Sequence, residues 1–289
     1  TIVVGDRNPA NVIGVVLPLV DHYFFSTILK GIMSQAQQND YAVIVGETQH
    51  NVHKEKIVLD KFINHGIRGL LLIPCVESDF QQNLLPLIHR RIPTVVVDRM
   101  YDNYVGNYVL IDDFKGACIA VNHLIEQGYR RIAHIGSLDN RAVGSERRRG
   151  YLTTLKEANL PRLNEYMVRV NLTDTRISIT NGYEAARRLF ALNNPPDAIF
   201  SVTDDAALGI YKYAREHNIN IPNDLGVVGF SNSIVSQLLS PQLSTIQQDG
   251  FVMGELAFKY YQNALQSNGQ IFQRTFEPNL IVRGSSRKI

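Results

Sequence analysis

The sequence contains no tryptophan, only two cysteines and no long apolar run. A membrane-spanning helix needs roughly 18 or more consecutive apolar residues, and no segment approaches that length. The first residues, TIVVGDRNPAN, also lack the basic and then apolar regions of a secretory signal peptide. We therefore expect no membrane partner.

The two cysteines, Cys75 and Cys118, are too few for a disulfide framework and do not form a CxxC pair. Both stand among apolar or small residues. This setting predicts small buried side chains in a reducing compartment, which favours a cytoplasmic protein. We expect no metal site.

Charge is nearly balanced, with 29 lysines and arginines against 27 aspartates and glutamates. Chains that bind nucleic acid usually concentrate basic residues on one face, so this composition does not by itself predict DNA binding. The densest basic cluster is Arg147, Arg148 and Arg149. We interpret it as one buried arginine and two solvated ones.

Common catalytic signatures are also missing. The sequence has no GxxxxGK[ST] phosphate loop and no GxGxxG fingerprint, so no nucleotide cofactor is expected. The GFS at 229–231 resembles the start of a nucleophile elbow, but Ser233 stands where that motif needs glycine. His50 and His53 have no third metal ligand nearby in sequence and are interpreted as solvated. We expect no catalytic residue.

Two pairs of acids, Asp112-Asp113 and Asp204-Asp205, stand immediately before predicted helices. An acid in that position stabilises a helix by capping and through the helix dipole, without any catalytic role. We interpret Asp113 and Asp205 as caps, whereas Asp204 stays a candidate for a binding site.

What the chain does contain is a series of short apolar runs separated by helix-periodic segments. Such runs are typical of strands buried on both faces of a parallel sheet. The predicted strands are 12–17, 42–45, 70–73, 94–97, 132–135, 167–170, 198–202 and 225–230. The predicted helices include 24–36, 53–64, 79–90, 115–127, 146–158, 179–192 and 250–266, followed by an extended tail at 271–282. Alternating strands and helices predict an α/β fold with parallel sheets and right-handed crossovers. Two βαβ arrays joined near residues 109–113 explain the pattern, and one long doubly wound sheet is the alternative.

Polar residues follow two of these strands directly. Thr203-Asp204-Asp205 ends the run at 198–202, and Ser231-Asn232-Ser233 ends the run at 225–230. Ligands bind at the carboxyl ends of strands in open parallel sheets. The two endings therefore predict a small-molecule pocket.

Nine segments, in order, resemble the effector-binding core of the LacI/GalR family of bacterial transcription regulators. They are IGVVLP (13–18), HYFFSTILKGI (22–32), GIRGLLLIP (66–74), IPTVVVDR (92–99), VLIDDFKGACIAVNHLIEQGYRRIAHIG (109–136), RRRGY (147–151), DAIFSVTDDAALG (197–209), IPNDLGVVGF (221–230) and LSPQLSTIQQ (239–248). The resemblance covers nearly the whole chain. It implies two Rossmann-like subdomains of the periplasmic-binding-protein type, with a ligand cleft between them.

The resemblance also implies a set of ligand-binding residues. Arg147 matches an arginine that grips ligand oxygens, and its five fixed donors suit a diol or a carboxylate. Its alternative role is an ion pair with an acid of the cleft. Asp98 matches an acid at a strand end that accepts sugar hydroxyls, or else bonds Arg99 or a helix start. The remaining candidates are Phe24, Thr203, Asp204, Ser231, Asn232 and Gln248. Phe24 fits helix packing equally well, Phe25 is the better core candidate, and Leu172 matches too poorly to be included.

Two departures from the family pattern stand out. Ser231, followed by Asn232, occupies the position where the family commonly has aspartate, so a known sugar preference cannot be transferred to this chain. The family's helix-turn-helix headpiece has no counterpart in these 289 residues, and we expect the chain to be the sensor part of a longer protein.

Together these features predict one subdomain of residues 1–112 with 247–277 and a second of residues 113–246 with 278–289. The expected function is that of a regulator core in a homodimer. It binds a small sugar-like effector and controls operator DNA through the headpiece. A sugar-binding protein of a transport system is the alternative, and an enzyme is not expected.

Overall fold

The computed structural model describes residues 11–137, 142–171, 174–267 and 269–287. Its strands are β1 Val12–Leu17, β2 Ala42–Glu47, β3 Gly69–Leu72, β4 Thr94–Val97, β5 Asn107–Ile111, β6 Ile132–Ser137, β7 Met167–Val170, β8 Ala198–Ser201, β9 Gly226–Ser231, β10 Ser244–Gln247, β11 Gln273–Phe276 and β12 Asn279–Ile281. Its α-helices are α1 Tyr23–Gln38, α2 Val52–Asn64, α3 Leu85–His89, α4 Asp113–Glu126, α5 Ala142–Glu157, α6 Thr175–Phe190, α7 Asp204–Glu216, α8 Ile234–Leu238 and α9 Gly250–Gln266.

The strands form two six-stranded sheets, which confirms the α/β class and excludes the single long sheet. The first has the order β2-β1-β3-β4-β5-β11 and is parallel throughout. The second has the order β7-β6-β8-β9-β10-β12, and only its edge strand β12 runs antiparallel, against β10.

Each sheet is the centre of one compact unit. Unit 1 contains the described residues up to Ile111 together with Asp249–Phe276, and unit 2 contains Asp112–Gln248 together with the described residues from Glu277 onward. The chain therefore passes from one unit to the other three times. The predicted tail is split between the units, since β11 joins sheet one and β12 joins sheet two.

Two helix pairs pack closely enough to require glycine. In unit 2, a Cβ at Gly182 would overlap the backbone carbonyl of Ala206, and a Cβ at Gly209 would overlap that of Ile179. In unit 1, Gly31 and Gly254 have the same relation between α1 and α9. The missing side chains allow the backbones of α6 and α7, and of α1 and α9, to touch.

The structure differs from the sequence prediction at its shortest elements. Strands β5 and β10 and helix α8 were not predicted, and the segment expected as one helix at 79–90 begins with a π-helical turn, Phe80–Leu84, that continues into α3. Cys75 is buried as expected, whereas Cys118 is only half-buried. Within the described residues, no helix is both long and apolar enough to span a membrane.

Candidate functional site

Two charged residues, Asp98 and Arg99, directly follow strand β4 at the carboxyl edge of the sheet of unit 1. Asp98 has a positive φ of 67°, in the left-handed region that few non-glycine residues adopt. Its carboxylate Oδ2 lies 3.4 Å from Nε of Arg99, and both side chains are largely buried. The bonding to Arg99 considered from the sequence is therefore present as a loose ion pair.

The Arg99 guanidinium is packed against an aromatic ring. Its Cζ atom lies 5.4 Å from the centre of the Phe25 ring. Its Nε and Nη1 atoms are buried and have no hydrogen-bond partner among the described residues. Sequence reasoning named Arg99 only as a partner of Asp98, although its place two residues after a predicted strand was a usable signal.

Two histidines pack around the same ring. The His22 and His50 rings lie 4.8 and 6.3 Å from that of Phe25. Burial, together with the nearby Arg99 and His22, lowers the pKa of His50 to about 3. His50 is therefore uncharged near neutral pH and is not the solvated residue predicted from the sequence.

Phe24 and Phe25 lie together in the core of unit 1, and each is 4% exposed. Their rings are 5.8 Å apart. The cluster of Arg99, His22 and His50 lies against Phe25, which the sequence had suggested as the better core residue. Phe24 therefore packs from its helix into the core of unit 1, which is the alternative to a ligand-binding role.

In unit 2 the buried Arg147 is held by several groups at once. Its Nη2 and Nε atoms lie 2.7 and 2.8 Å from Oδ1 of Asp113, and Nη1 donates to the Val202 carbonyl oxygen at 2.6 Å. Its Cζ atom stands 3.5 Å from the centre of the Phe230 ring. This is the ion pair that the sequence had left as the alternative to a ligand role. Arg148 and Arg149 are exposed, as predicted.

Asp113 and Asp205 are not the caps of their helices, although both lie in the first turn, where the helix dipole favours an acid. The cap of α4 is Asp112, whose side chain accepts from the Lys115 amide, and the cap of α7 is the Thr203 hydroxyl. Asp113 pairs with Arg147 instead, and Asp205 accepts a hydrogen bond from Thr175. With Asp113 and Asp205 as caps, α4 and α7 would begin at residues 114 and 206. They begin at Asp113 and Asp204 instead.

Asp204 joins three segments of unit 2 through its carboxyl group. Its Oδ1 accepts from the Thr245 hydroxyl at 2.6 Å and its Oδ2 from the Ser233 amide at 2.7 Å. The residue is only 1% exposed. Burial is the main cause that raises the pKa of Asp204 to about 6, against the lowering effect of these hydrogen bonds.

Ser231, Asn232 and Gln248 lie near the carboxyl ends of β9 and β10. The Ser231 hydroxyl donates to Oε1 of Gln248 at 3.1 Å, while the buried Nε2 of Gln248 has no partner among the described residues. Oδ1 of Asn232 accepts from Nη2 of Arg283 at 2.7 Å. Both Ser231 and Asn232 have positive φ, which few non-glycine residues adopt.

A buried carboxylate that sequence reasoning missed fixes the loops beside the edge of unit 1. Glu55 accepts from the Cys75 amide at 2.5 Å, from Nδ2 of Asn83 at 2.8 Å, from the Tyr101 hydroxyl at 3.2 Å and from Ser78. Burial and the charge of Glu55 raise the pKa of the Cys75 thiol to about 12, so this thiol is unreactive.

The structure thus brings the candidates together in two groups, one at the carboxyl edge of each sheet. Asp98 and Phe24 belong to unit 1, and Arg147, Thr203, Asp204, Ser231, Asn232 and Gln248 belong to unit 2. Leu172 lies outside the described residues. Among those that are described, no three metal-binding side chains are gathered in one place.

Comparison with known proteins assigns this architecture to a class. Residues 121–286 match the family model of the periplasmic binding protein-like domain. The fold is shared by a transcription regulator from Lactobacillus plantarum (26% identity, TM-score 0.81, covering 97% of this chain and all of that one). A LacI family regulator from Enterococcus faecium with bound ribose also shares it (22% identity, TM-score 0.83, covering 96% of this chain and all of that one). The protein is thus a periplasmic-binding-protein-like ligand-binding core.

The sequence relatives define the family more narrowly. The chain is 31% identical over 290 residues to the HTH-type transcriptional repressor CytR of Escherichia coli, covering 98% of this chain and 81% of that protein. It is 26% identical over 283 residues to the repressor PurR of Mannheimia succiniciproducens, covering 98% of this chain and 83% of that protein. The chain belongs to the LacI family of bacterial transcription regulators, as the resemblance implied.

Proposed function

We propose that this chain is the effector-sensing core of a LacI-type regulator and works by binding rather than by catalysis. The observation that carries the proposal is its match to transcriptional repressors along 98% of its length. The same match favours a cytoplasmic regulator over a transport protein. Binding of an effector controls operator DNA through a helix-turn-helix headpiece, because a ligand biases two states by its differential affinity for them.

The effector in this proposal is a small polar molecule, a sugar or sugar derivative. Supporting it are the hydroxyl, amide and carboxyl groups at the strand ends of unit 2, namely those of Ser231, Asn232, Asp204 and Gln248. Hydroxyls and amides both donate and accept hydrogen bonds, as recognition of a polyol requires. Asp98, Arg147, Thr203 and Phe24 complete the proposed set.

A thermal-shift screen tests the proposal with monosaccharides, disaccharides, sugar phosphates and nucleobases. A ligand at about 100-fold its Kd adds roughly 2.7 kcal/mol to the free energy of unfolding, which moves Tm measurably. If no compound of these classes moves Tm, the proposal is wrong.

Gln248→Ala is the variant that tests the site. Its Nε2 atom is buried without a partner among the described residues, so binding should weaken when it is removed while the fold survives. Gln242→Ala is the matched control, because Gln242 is exposed in the same unit. Equal affinity of the two variants for a compound found in the screen would remove Gln248 from the site.

We further propose that the regulator core is a homodimer, the state expected from its family resemblance. Analytical ultracentrifugation of the purified chain at micromolar concentration should give twice the 32.6 kDa chain mass. A single species at the chain mass would contradict the dimer.

A further inference from the structure

The Arg99 guanidinium has donors that the described residues leave unused. Its side chain is 12% exposed, and Nε and Nη1 lack hydrogen-bond partners among the described residues, although Oδ2 of Asp98 forms a loose ion pair with Nε at 3.4 Å. A buried donor without an acceptor costs about 1–3 kcal/mol, and more when it is charged. An oxygen-rich group placed against Arg99 would therefore regain that free energy.

The surroundings of Arg99 contribute further donors. His22 and His50 lie against the same Phe25 ring, and an uncharged imidazole can donate one hydrogen bond. The charged and titratable groups that lower the pKa of His50 are Arg99 and His22. The charge of Arg99 therefore acts on the His50 imidazole, in spite of the carboxylate of Asp98 next to Arg99.

Unit 2 shows the opposite arrangement. Its buried Arg147 is neutralised by Asp113 at 2.7 Å and bonded to the Val202 carbonyl at 2.6 Å. An arginine held in this way suits uncharged hydroxyls better than an anion. The two carboxyl edges therefore differ in what they can recognise.

We propose that Arg99, with His22 and His50, binds an anionic oxygen group of the effector, a carboxylate or a phosphate. The inference rests on the proposed function and narrows it, because the effector then is an acidic sugar derivative rather than a neutral sugar. The planar fork of a guanidinium matches the oxygens of either anion with two parallel hydrogen bonds.

Matched probes test this inference. Ribose, ribonate and ribose 5-phosphate form one series, and glucose, gluconate and glucose 6-phosphate form a second. Isothermal titration of the purified chain should show that an acid or a phosphate of at least one series binds at least tenfold more tightly than its neutral parent. Comparing the affinities of the sugar acids with those of the sugar phosphates shows whether the site prefers a carboxylate or a phosphate.

Arg99→Gln should reduce affinity for the preferred anionic probe about 10- to 100-fold, the range of a lost charged hydrogen bond. It should leave affinity for the neutral parent within about twofold. Arg68→Gln is the control for lost charge, because Arg68 is exposed at the amino end of β3 in the same unit. Arg99→Lys keeps the positive charge but lacks the planar pair of parallel donors, and it should lose less affinity than Arg99→Gln.

NMR of the His50 imidazole gives a second readout, independent of affinity. In the free protein the ring should stay uncharged from pH 8 down to pH 5, and its pKa should rise when an anionic probe binds. It should also rise in Arg99→Gln, where one positive neighbour is gone and burial remains.

The outcomes separate this inference from the function on which it rests. If the neutral sugars bind as tightly as the anionic ones, or if Arg99→Gln and Arg99→Lys both keep the preference for anions, the inference is wrong and the sensor function stands. If no probe of either charge binds, both the inference and the sugar effector are contradicted.

Discussion

At the scale of single residues, the molecule buries several charges and hydrogen-bonds or pairs most of them locally. Arg147 and Asp113 are 4% and 7% exposed and form an ion pair, whereas Glu55 accepts four hydrogen bonds from uncharged groups. Breaking a buried pair by removing one partner is costly, because the other charge stays behind unpaired. The loss of stability caused by a substitution at these residues therefore depends on whether it leaves a buried charge without a partner.

The Arg147–Asp113 pair gives the first prediction. Arg147→Ala should lower the free energy of unfolding by about 3–5 kcal/mol, because Asp113 remains buried without its cation. Combining Arg147→Met with Asp113→Asn should cost less, since no charge is left unpaired. Urea unfolding of the two variants and the parent measures both values, and a double variant less stable than Arg147→Ala would show that the pair is not the cause.

The buried carboxyl of Asp204 gives a prediction about pH. Its pKa is raised from the ordinary aspartate value of 3.8 to about 6, so the folded state holds the proton more tightly than the unfolded chain. The resulting stability is fully present below about pH 4 and is lost as pH rises through 6. A shift of one pKa unit corresponds to about 1.36 kcal/mol, so this residue lowers the free energy of unfolding by roughly 3 kcal/mol over that pH range.

Asp204→Asn should remove that decline, because an amide does not titrate. The measurement is the free energy of unfolding at half-unit steps from pH 4 to pH 7. Asp224→Asn, at an exposed position of the same unit, should keep the slope of the parent protein. The same slope in Asp204→Asn would mean that other groups cause the pH dependence.

At the scale of elements, two pairs of neighbouring helices touch through glycines. Gly182 and Gly209 each face the backbone of the other helix, and the partners of Gly31 and Gly254 are likewise backbone carbonyls. A carbonyl in a regular helix cannot move aside as a flexible side chain can. A methyl group at any of these positions must push two helices apart.

Gly209→Ala should therefore destabilise unit 2, although alanine has the higher helix propensity. The overpacking cost is about 1–3 kcal/mol, which exceeds the ~1 kcal/mol gained from propensity. Thermal unfolding compares this variant with Arg215→Ala on the exposed face of the same helix, which should change stability by less than about 0.5 kcal/mol. A stabilised Gly209→Ala would contradict the close packing of α6 and α7.

The sequence predicted most elements of both sheets but not the fine positions of the charges. Strand β4 and helix α9 have the predicted bounds, since long apolar runs and a strong helical period leave little choice. Strands β5 and β10 were not predicted because NYVLI and STIQ mix polar and apolar residues in very short segments. The pairing of Arg147 with Asp113, and the packing of His50 on Phe25, depend on residues far apart in sequence and carry no local signal.

At the scale of the whole molecule, a chain cut after Gln248 should behave differently in its two units. Unit 2 would lose only its edge strand β12 and the last residues, but unit 1 would lose α9 and β11. Helix α9 supplies Met253, Phe258 and Tyr261 to the core of unit 1. Hydrogen exchange should show unit 1 unprotected and unit 2 largely protected, and equal protection would contradict the dependence of unit 1 on α9.

That late helix also has a consequence for the order of synthesis. A ribosome releases residues 11–111 before the residues of unit 2, yet unit 1 cannot be completed until α9 and β11 have emerged. Meanwhile the whole of the intervening segment, Asp112–Gln248, can already collapse on itself. Unit 1 thus begins to emerge before unit 2 but is completed after it, and its apolar strand faces need protection while residues 112–276 leave the ribosome, roughly 8–33 s at about 5–20 residues per second.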